Sequence, residues 1–129
     1  MQYLVDTTWI VDYLRGHQDT IQRLQAYRAE GLAIAIVALA GLYEGMFRSN
    51  SPAGNETILK DSPTGVTILG IDEEVCIIFG RETARLRQFG MAVGDMDVLI
   101  PASALRHDLT LLTADRDFEP VENLTTIFS

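Results

Sequence analysis

A chain of 129 residues, 47% hydrophobic and 22% charged, has room for one domain with a real core and excludes a disordered or fibrous polymer. Its net charge of −8 argues against a broad, nonspecific grip on nucleic-acid phosphates. A single cysteine, Cys76, excludes an internal disulfide and makes the cytoplasm the expected compartment. Lying in the apolar run VCII, it reads as a buried structural thiol.

The opening residues QYLV read as a short buried strand ending at Asp6, not as a leader peptide. Trp9, Ile10, Tyr13 and Leu14 then fall at helical spacing, with Thr7 or Thr8 as cap and Gly16 as stop. A second helix is expected from about Asp19 to Ala29, where Ile21, Leu24 and Tyr27 share a face before Gly31. LAIAIV, 32 to 37, reads as a second buried strand, followed by a helix carrying Leu39, Leu42, Tyr43 and Phe47. The apolar stretch from Leu32 to Tyr43 is interrupted by Gly41 and too short to span a bilayer, so no membrane partner is expected. SNSPAGNE (49–56) and DSPTG (61–65) are turn-rich breakers.

VTILGI, 66 to 71, is a third strand, and Asp72 opens a long helix to about Gln88 that Gly90 ends. GDMDVLIPASALRH, 94 to 107, reads as one helix with acids in its first turn, where the helix dipole suits them. A strand over 110–114 runs into the acidic turn ADRDF, and TTIF closes the chain. Strands and helices alternate with short connections, which predicts an α/β sandwich with a mostly parallel sheet and a single domain over 1–129.

Ligands of such sheets lie beyond the carboxyl ends of the strands, so the acids that follow strands are the candidates. Asp6 follows the first strand, Asp115 and Asp117 follow the strand before ADRDF, and Asp95 and Asp97 open the helix ahead of it. Any one of them alone reads as a helix cap or turn former. Three such sites converging repel one another and call for cations or shared protons. Oxygen-only ligands without nearby His or Cys favour Mg²⁺ or Mn²⁺, which can orient a phosphodiester and activate water. Nine arginines against one lysine, Lys60, add planar forks suited to phosphate; Arg81, Arg85 and Arg87 cluster, with Arg106 and Arg116 further on. Each arginine taken singly reads as part of a solvated helix face. His17 and His107 read as a loop residue and a helix-end residue.

YLVDTTWIVDYLRG at one end, GDMDVLIPASALRHDLTLLTADRDFEPV at the other, and the element order between them resemble a PIN-domain protein, most similar to the VapC-type toxins of bacterial toxin–antitoxin pairs. The resemblance covers essentially the whole chain. It implies a PIN-like three-layer sandwich with a mostly parallel sheet flanked by helices. It also implies an Mg²⁺- or Mn²⁺-dependent endoribonuclease that cleaves RNA phosphodiesters with a metal-activated water. Such a protein is cytoplasmic, often a homodimer, and silenced by a VapB-type antitoxin whose tail lies across the acidic groove. By position, Asp6 and Asp97 match the principal metal ligands. Asp115 matches a third acid, acting through a water or behind the first two, and Asp117 supports the turn. Thr8 matches a small polar residue two places after the first acid, and Asp95 is a neighbour with a weaker claim.

The resemblance breaks at VALAGLYEGM, 37 to 46. Related toxins read like S-V-I-T-L-A-E-L-Y-E-G there, and the first Glu is their active-site acid. Here that place is Gly41, an empty place expected to face the other acids, and Glu44 matches the second, less important acid. Glu44 would substitute only if it reached across one helical turn, ~5 Å. Pro101 stands where Ala is usual, and with a helix starting at Asp95 it should bend or break the segment carrying Asp97. Two readings follow: an endoribonuclease toxin attenuated at these two positions, or a catalytically weak PIN-like binding protein working through its partner surface. For the second, Trp9, Tyr13, Tyr43, Met46 and Phe47 are the candidate groove residues. A phosphoacceptor receiver domain is set aside, because Lys60 is not after a late strand and Asp6 is followed by threonines.

Overall fold

The computed structural model describes residues 2–49, 66–91 and 96–129. The turn-rich segments expected over 49–56 and 61–65, apart from Ser49, lie outside the described residues, as does Asp95. In chain order the elements are β1 (Tyr3–Val5), α1 (Thr7–Leu14), α2 (Gln18–Arg28), β2 (Leu32–Ala35), α3 (Ile36–Arg48), β3 (Thr67–Leu69), α4 (Glu73–Gln88), α5 (Leu99–Arg106), β4 (Thr110–Thr113), a 3₁₀ turn (Arg116–Phe118) and β5 (Thr126–Phe128).

The strands form one sheet in the order β3-β2-β1-β4-β5, every pair parallel. Period-two alternation divides its side chains between two cores. Leu4, Ala33, Ala35 and Leu111 face Leu86, Val98 and Ala104 on the α4 and α5 side. Val5, Leu32, Ile34 and Leu112 face Trp9, Ile10, Leu24, Ala38 and Leu42 on the α1, α2 and α3 side. The result is the expected three-layer α/β sandwich. A strand buried on both faces needs an apolar side chain at every position, which is why YLV, LAIA and TLLT read as nearly unbroken apolar runs.

Gly16 and Gly90 adopt φ of +80° and +74° and end α1 and α4, a conformation that costs other residues strain. Three expectations need correction. Ile36 and Val37 belong to α3, not to the preceding strand, because β2 passes into the helix at Ala35 with no intervening loop. Cys76 is exposed, not buried: α4 packs through Val75, Glu82, Thr83 and Leu86, which turns 76 and 77 outward.

The third correction concerns Pro101. The helix begins at Leu99 with Val98 as its cap, so Asp97 lies in the turn before it. Pro101 is then in the first turn, where the missing N–H had no partner inside the helix to lose. The helix runs unbroken to Arg106, and Pro101 is buried within it. The predicted kink does not occur.

Candidate active site

Strand order reverses direction between β1, whose chain continues outward to β2 and β3, and β4, which leads to β5. Such a switch point leaves a crevice at the carboxyl ends of the two strands. Asp6 follows β1 there, and Thr113 and Asp115 end and follow β4.

Asp6 caps α1 and is 5% exposed. Its Oδ1 accepts the Thr7 N–H at 2.7 Å, which satisfies one orphan donor of the helix. Its Oδ2 accepts the Thr113 hydroxyl at 2.6 Å. Thr113 is fully buried, and its Oγ1 in turn accepts the Asp115 N–H at 3.0 Å. One hydroxyl therefore fixes the register between the acid after β1 and the acid after β4. Thr113 is the site residue that reading the chain missed. Its signal is weak, since a threonine in a strand needs no explanation beyond β-propensity; only its position one residue before the acidic turn sets it apart.

Asp115 caps the 3₁₀ turn and accepts the Asp117 N–H on Oδ1 at 2.9 Å, so Asp117 shapes the turn through its backbone while its side chain is exposed. Asp97 is exposed in the 96–98 turn, its carbonyl accepting the Ile100 N–H at 3.3 Å. Burial raises the Asp6 carboxyl above its usual range. The Thr113 and Thr7 hydrogen bonds oppose that shift, and the charges of Asp115 and Asp97 add to it. The fold thus brings three of the predicted acids into one electrostatic field.

Glu44 stands apart. It is exposed on α3 and paired with Arg48 at 2.7 Å. Gly41 is exposed, and a Cβ built there meets no atom within 4 Å. It lines a cleft of about 550 Å³ between α1 and α3, together with Thr7, the residue bonded to Asp6. His17 caps α2 and lies 3.4 Å from Asp12, and His107 ends α5. Thr8 is exposed on α1. Trp9 and Met46 belong to the core, while Phe47 is 66% exposed.

The turn carrying Asp115 is tied down from outside. Arg85 on α4 donates through Nη2 to the Pro120 carbonyl at 2.6 Å, and through Nε to buried Glu82 at 2.7 Å. Arg116 lies 3.9 Å over the Phe128 ring and bonds Glu119 at 2.6 Å. The arginines expected to serve phosphate therefore include two that hold the site's own frame.

A buried carboxylate with hydroxyl and amide partners and two acids in its field has the donor chemistry of a hard divalent ion. Among the described residues, no three carboxylates, imidazoles or thiols come close enough to ligate one ion together. Mg²⁺ suits such a site, since it retains several waters and takes one or two carboxylates.

A central β1, an all-parallel sheet and acids gathered at its switch point define the class. The PIN-domain family model matches residues 3–124, and the chain belongs to that family. Within it the chain is of the VapC type, a class of toxins with nuclease-type activity. It is 27% identical over 127 residues to a Haemophilus influenzae protein named ribonuclease VapC2, covering 98% of this chain and 96% of that one. A Rickettsia felis ribonuclease VapC2 is also 27% identical, covering 96% and 95%. Among solved structures, R. felis VapBC2 bound to a fragment of its promoter DNA superposes with a TM-score of 0.92 at 25% identity, covering 99% of this chain and 98% of that one. The DNA-bound VapBC of Salmonella typhimurium gives 0.91 at 21% identity, a likeness of fold, over 99% and 98%.

Proposed function

We propose that residues 1–129 form one domain acting as the toxin of a VapBC-type pair, an Mg²⁺- or Mn²⁺-dependent endoribonuclease. The observation that carries this reading is Asp6, a buried carboxylate in the field of two further acids, Asp115 and Asp97. Asp6 and Asp97 would hold the ion directly, and Asp115 would hold it through a water. Bound there, the ion would lower the pKa of an attacking water and offset charge on the phosphodiester.

The chain's own residues supply the rest. The bonds from Thr7 and Thr113 fix both oxygens of Asp6, so its orientation is set before any ligand arrives. The Asp115 oxygen not used by Asp117 can accept a proton from an attacking water or hold that water in line. Asp97 lies in the turn ahead of α5, whose first turn is pinned in the core through Leu99 and Pro101. The partners of this reading are an RNA substrate, a cognate VapB-type antitoxin and a second copy of the chain, in the cytoplasm. Among the described residues no helix is long and apolar enough to cross a membrane.

Gly41 and Glu44 favour attenuation of this activity, since the place of the fourth acid is open and its neighbour is engaged by Arg48. Pro101 is no part of that argument, because it leaves α5 intact. Purified protein with Mn²⁺ should cleave single-stranded RNA slowly, and EDTA should abolish cleavage. Gly41→Glu should raise the rate ~10-fold, as expected when a missing ion-positioning group is restored, and Pro101→Ala should change it less than twofold. Fast cleavage by the unaltered chain, or no gain from Gly41→Glu, would overturn attenuation. No cleavage by either protein, with antitoxin binding intact, would favour the binding-protein reading.

A further inference from the structure

An acidic chain that handles RNA must hold phosphate with particular arginines, and the structure separates engaged arginines from free ones. Arg23 lies over Trp9 and bonds the Phe128 carbonyl. Arg48, Arg85, Arg106 and Arg116 are paired with acids. Arg28 and Arg87 have interactions of their own. Among the described residues that leaves Arg15 and Arg81 unengaged, and both are exposed.

Only Arg15 of these two lines the cleft between α1 and α3. That cleft of about 550 Å³ begins at Thr7, whose N–H is bonded to Asp6, and reaches Arg15 at the far end of α1. Eight residues of helical rise place the Arg15 backbone ~12 Å from the acids. Its α3 wall carries Gly41 and Gly45, which leave room for a backbone to approach closely. Arg48, the other arginine among the described residues of the cleft, is paired with Glu44 at 2.7 Å. Among the described residues of the cleft, Arg15 is the arginine without an acidic partner.

We infer that Arg15 and the cleft between α1 and α3 form a phosphate-binding subsite for single-stranded RNA, holding a phosphate neighbouring the one presented to the acids. This rests on the ribonuclease reading for the direction in which the strand runs. A guanidinium suits the task, since it offers paired donors to one phosphate and keeps its charge at every relevant pH. The acids repel phosphate at one end of the cleft, and Arg15 attracts it at the other. A strand is thereby oriented with one linkage left to the acids.

The test is fluorescence anisotropy of a labelled 12-nucleotide single-stranded RNA in EDTA, which stops hydrolysis, across a salt series. Arg15→Gln should weaken binding ~10-fold at low salt and flatten the slope of log K against log salt by ~0.7, the value for one lost contact to a single strand. Arg15→Lys should keep the slope, and Arg81→Gln should match the unaltered protein in both. An Arg15→Gln protein with unchanged affinity and slope overturns the subsite, including the case in which Arg15 serves an acidic partner peptide instead. Equal losses from Arg15→Gln and Arg81→Gln overturn it too, because they report only the overall charge. RNA binding that depends on Arg15 without cleavage in Mn²⁺ supports the subsite and refutes the nuclease. Cleavage with binding indifferent to Arg15 does the reverse.

Discussion

Asp6 and Asp72 hold the same local post. Each follows a strand, each is extended in backbone conformation, and each caps a helix with Oδ1, Asp6 through Thr7 N–H and Asp72 through Val75 N–H. Their second oxygens separate them. That of Asp72 meets Arg106 at 3.2 Å at the surface, and hydrogen bonding to Val75 holds its carboxyl below the usual range. That of Asp6 meets a buried hydroxyl, with two more acids nearby, and burial pushes its carboxyl up. A cap explains all of Asp72 and half of Asp6. The unexplained half is a charge kept in a place that opposes it, which is a mark of chemistry more than of stability.

The comparison is broken most directly by removing the charge at each post. Asp6→Asn should lower Mn²⁺-dependent RNA cleavage by ~10³-fold, more than the 10–100-fold typical of losing a partner behind a ligand. Asp72→Asn should leave the rate within a factor of about two, since a distant surface cap does not touch the reacting groups. Equal losses from the two would mean that Asp6 is a cap as well. Circular dichroism of both proteins checks that they are folded.

The next largest effect concerns the frame around Asp115. Arg85→Met keeps much of the side-chain packing but leaves buried Glu82 without its partner, which should destabilise the protein by about 3 kcal/mol in urea unfolding. Glu82→Leu added to it should recover most of that loss, because a buried apolar residue needs no partner. If the double variant regains stability but still cleaves slowly, Arg85 also serves to place the Asp115 turn. Full activity would limit it to stability.

The smallest effects are in pH dependence, and they have opposite signs. Asp6 titrates above 3.8 in the fold, so between 3.8 and that raised value the native state holds a proton the unfolded chain has released. Stability from this group falls as pH rises through that window. Asp72 is depressed, so its stabilisation is in place above 3.8 and lost as pH falls through the lowered value. Thermal unfolding without metal should show the Asp6 slope flattened in Asp6→Asn and the acid-side loss reduced in Asp72→Asn, by a few degrees at most. Mn²⁺ should raise the melting temperature of the unaltered protein above the Asp6 window and not below it. A metal effect that ignores pH would place the ion elsewhere.

The layers, and the placing of Asp6 and Asp115 at one edge of the sheet, could be read from the chain because one physical pattern encodes both. Strands buried on two faces are continuous apolar runs, and an acid directly after such a run lies at the edge where ligands collect. What was not legible depended on contacts between distant residues. The start of α5 is set by the 96–98 turn and core packing of Leu99, so a periodic reading began the helix at Asp95 and turned Pro101 into a break. Cys76 was misread because an apolar run does not say which face of a helix packs inward. Glu82 and Arg85 look like two charges on a solvated face until Pro120 is brought beside them. Thr113 looks like strand filler until Asp6 arrives from the other end of the chain.

That last contact also orders events in time. The hydroxyl of Thr113 and the carboxylate of Asp6 are separated by 107 positions along the chain; Thr113 ends one, and Asp6 follows the other, of two adjacent strands at the centre of the sheet. Synthesis delivers Asp6 107 positions before Thr113, and contacts so remote in sequence form late because a long loop must close first. Until β4 has been made, a nascent chain carries Asp6 without the strand that orients it. The partner that orients Asp6 is thus supplied late in folding, so the geometry of this acid reports a sheet whose central pair is already complete.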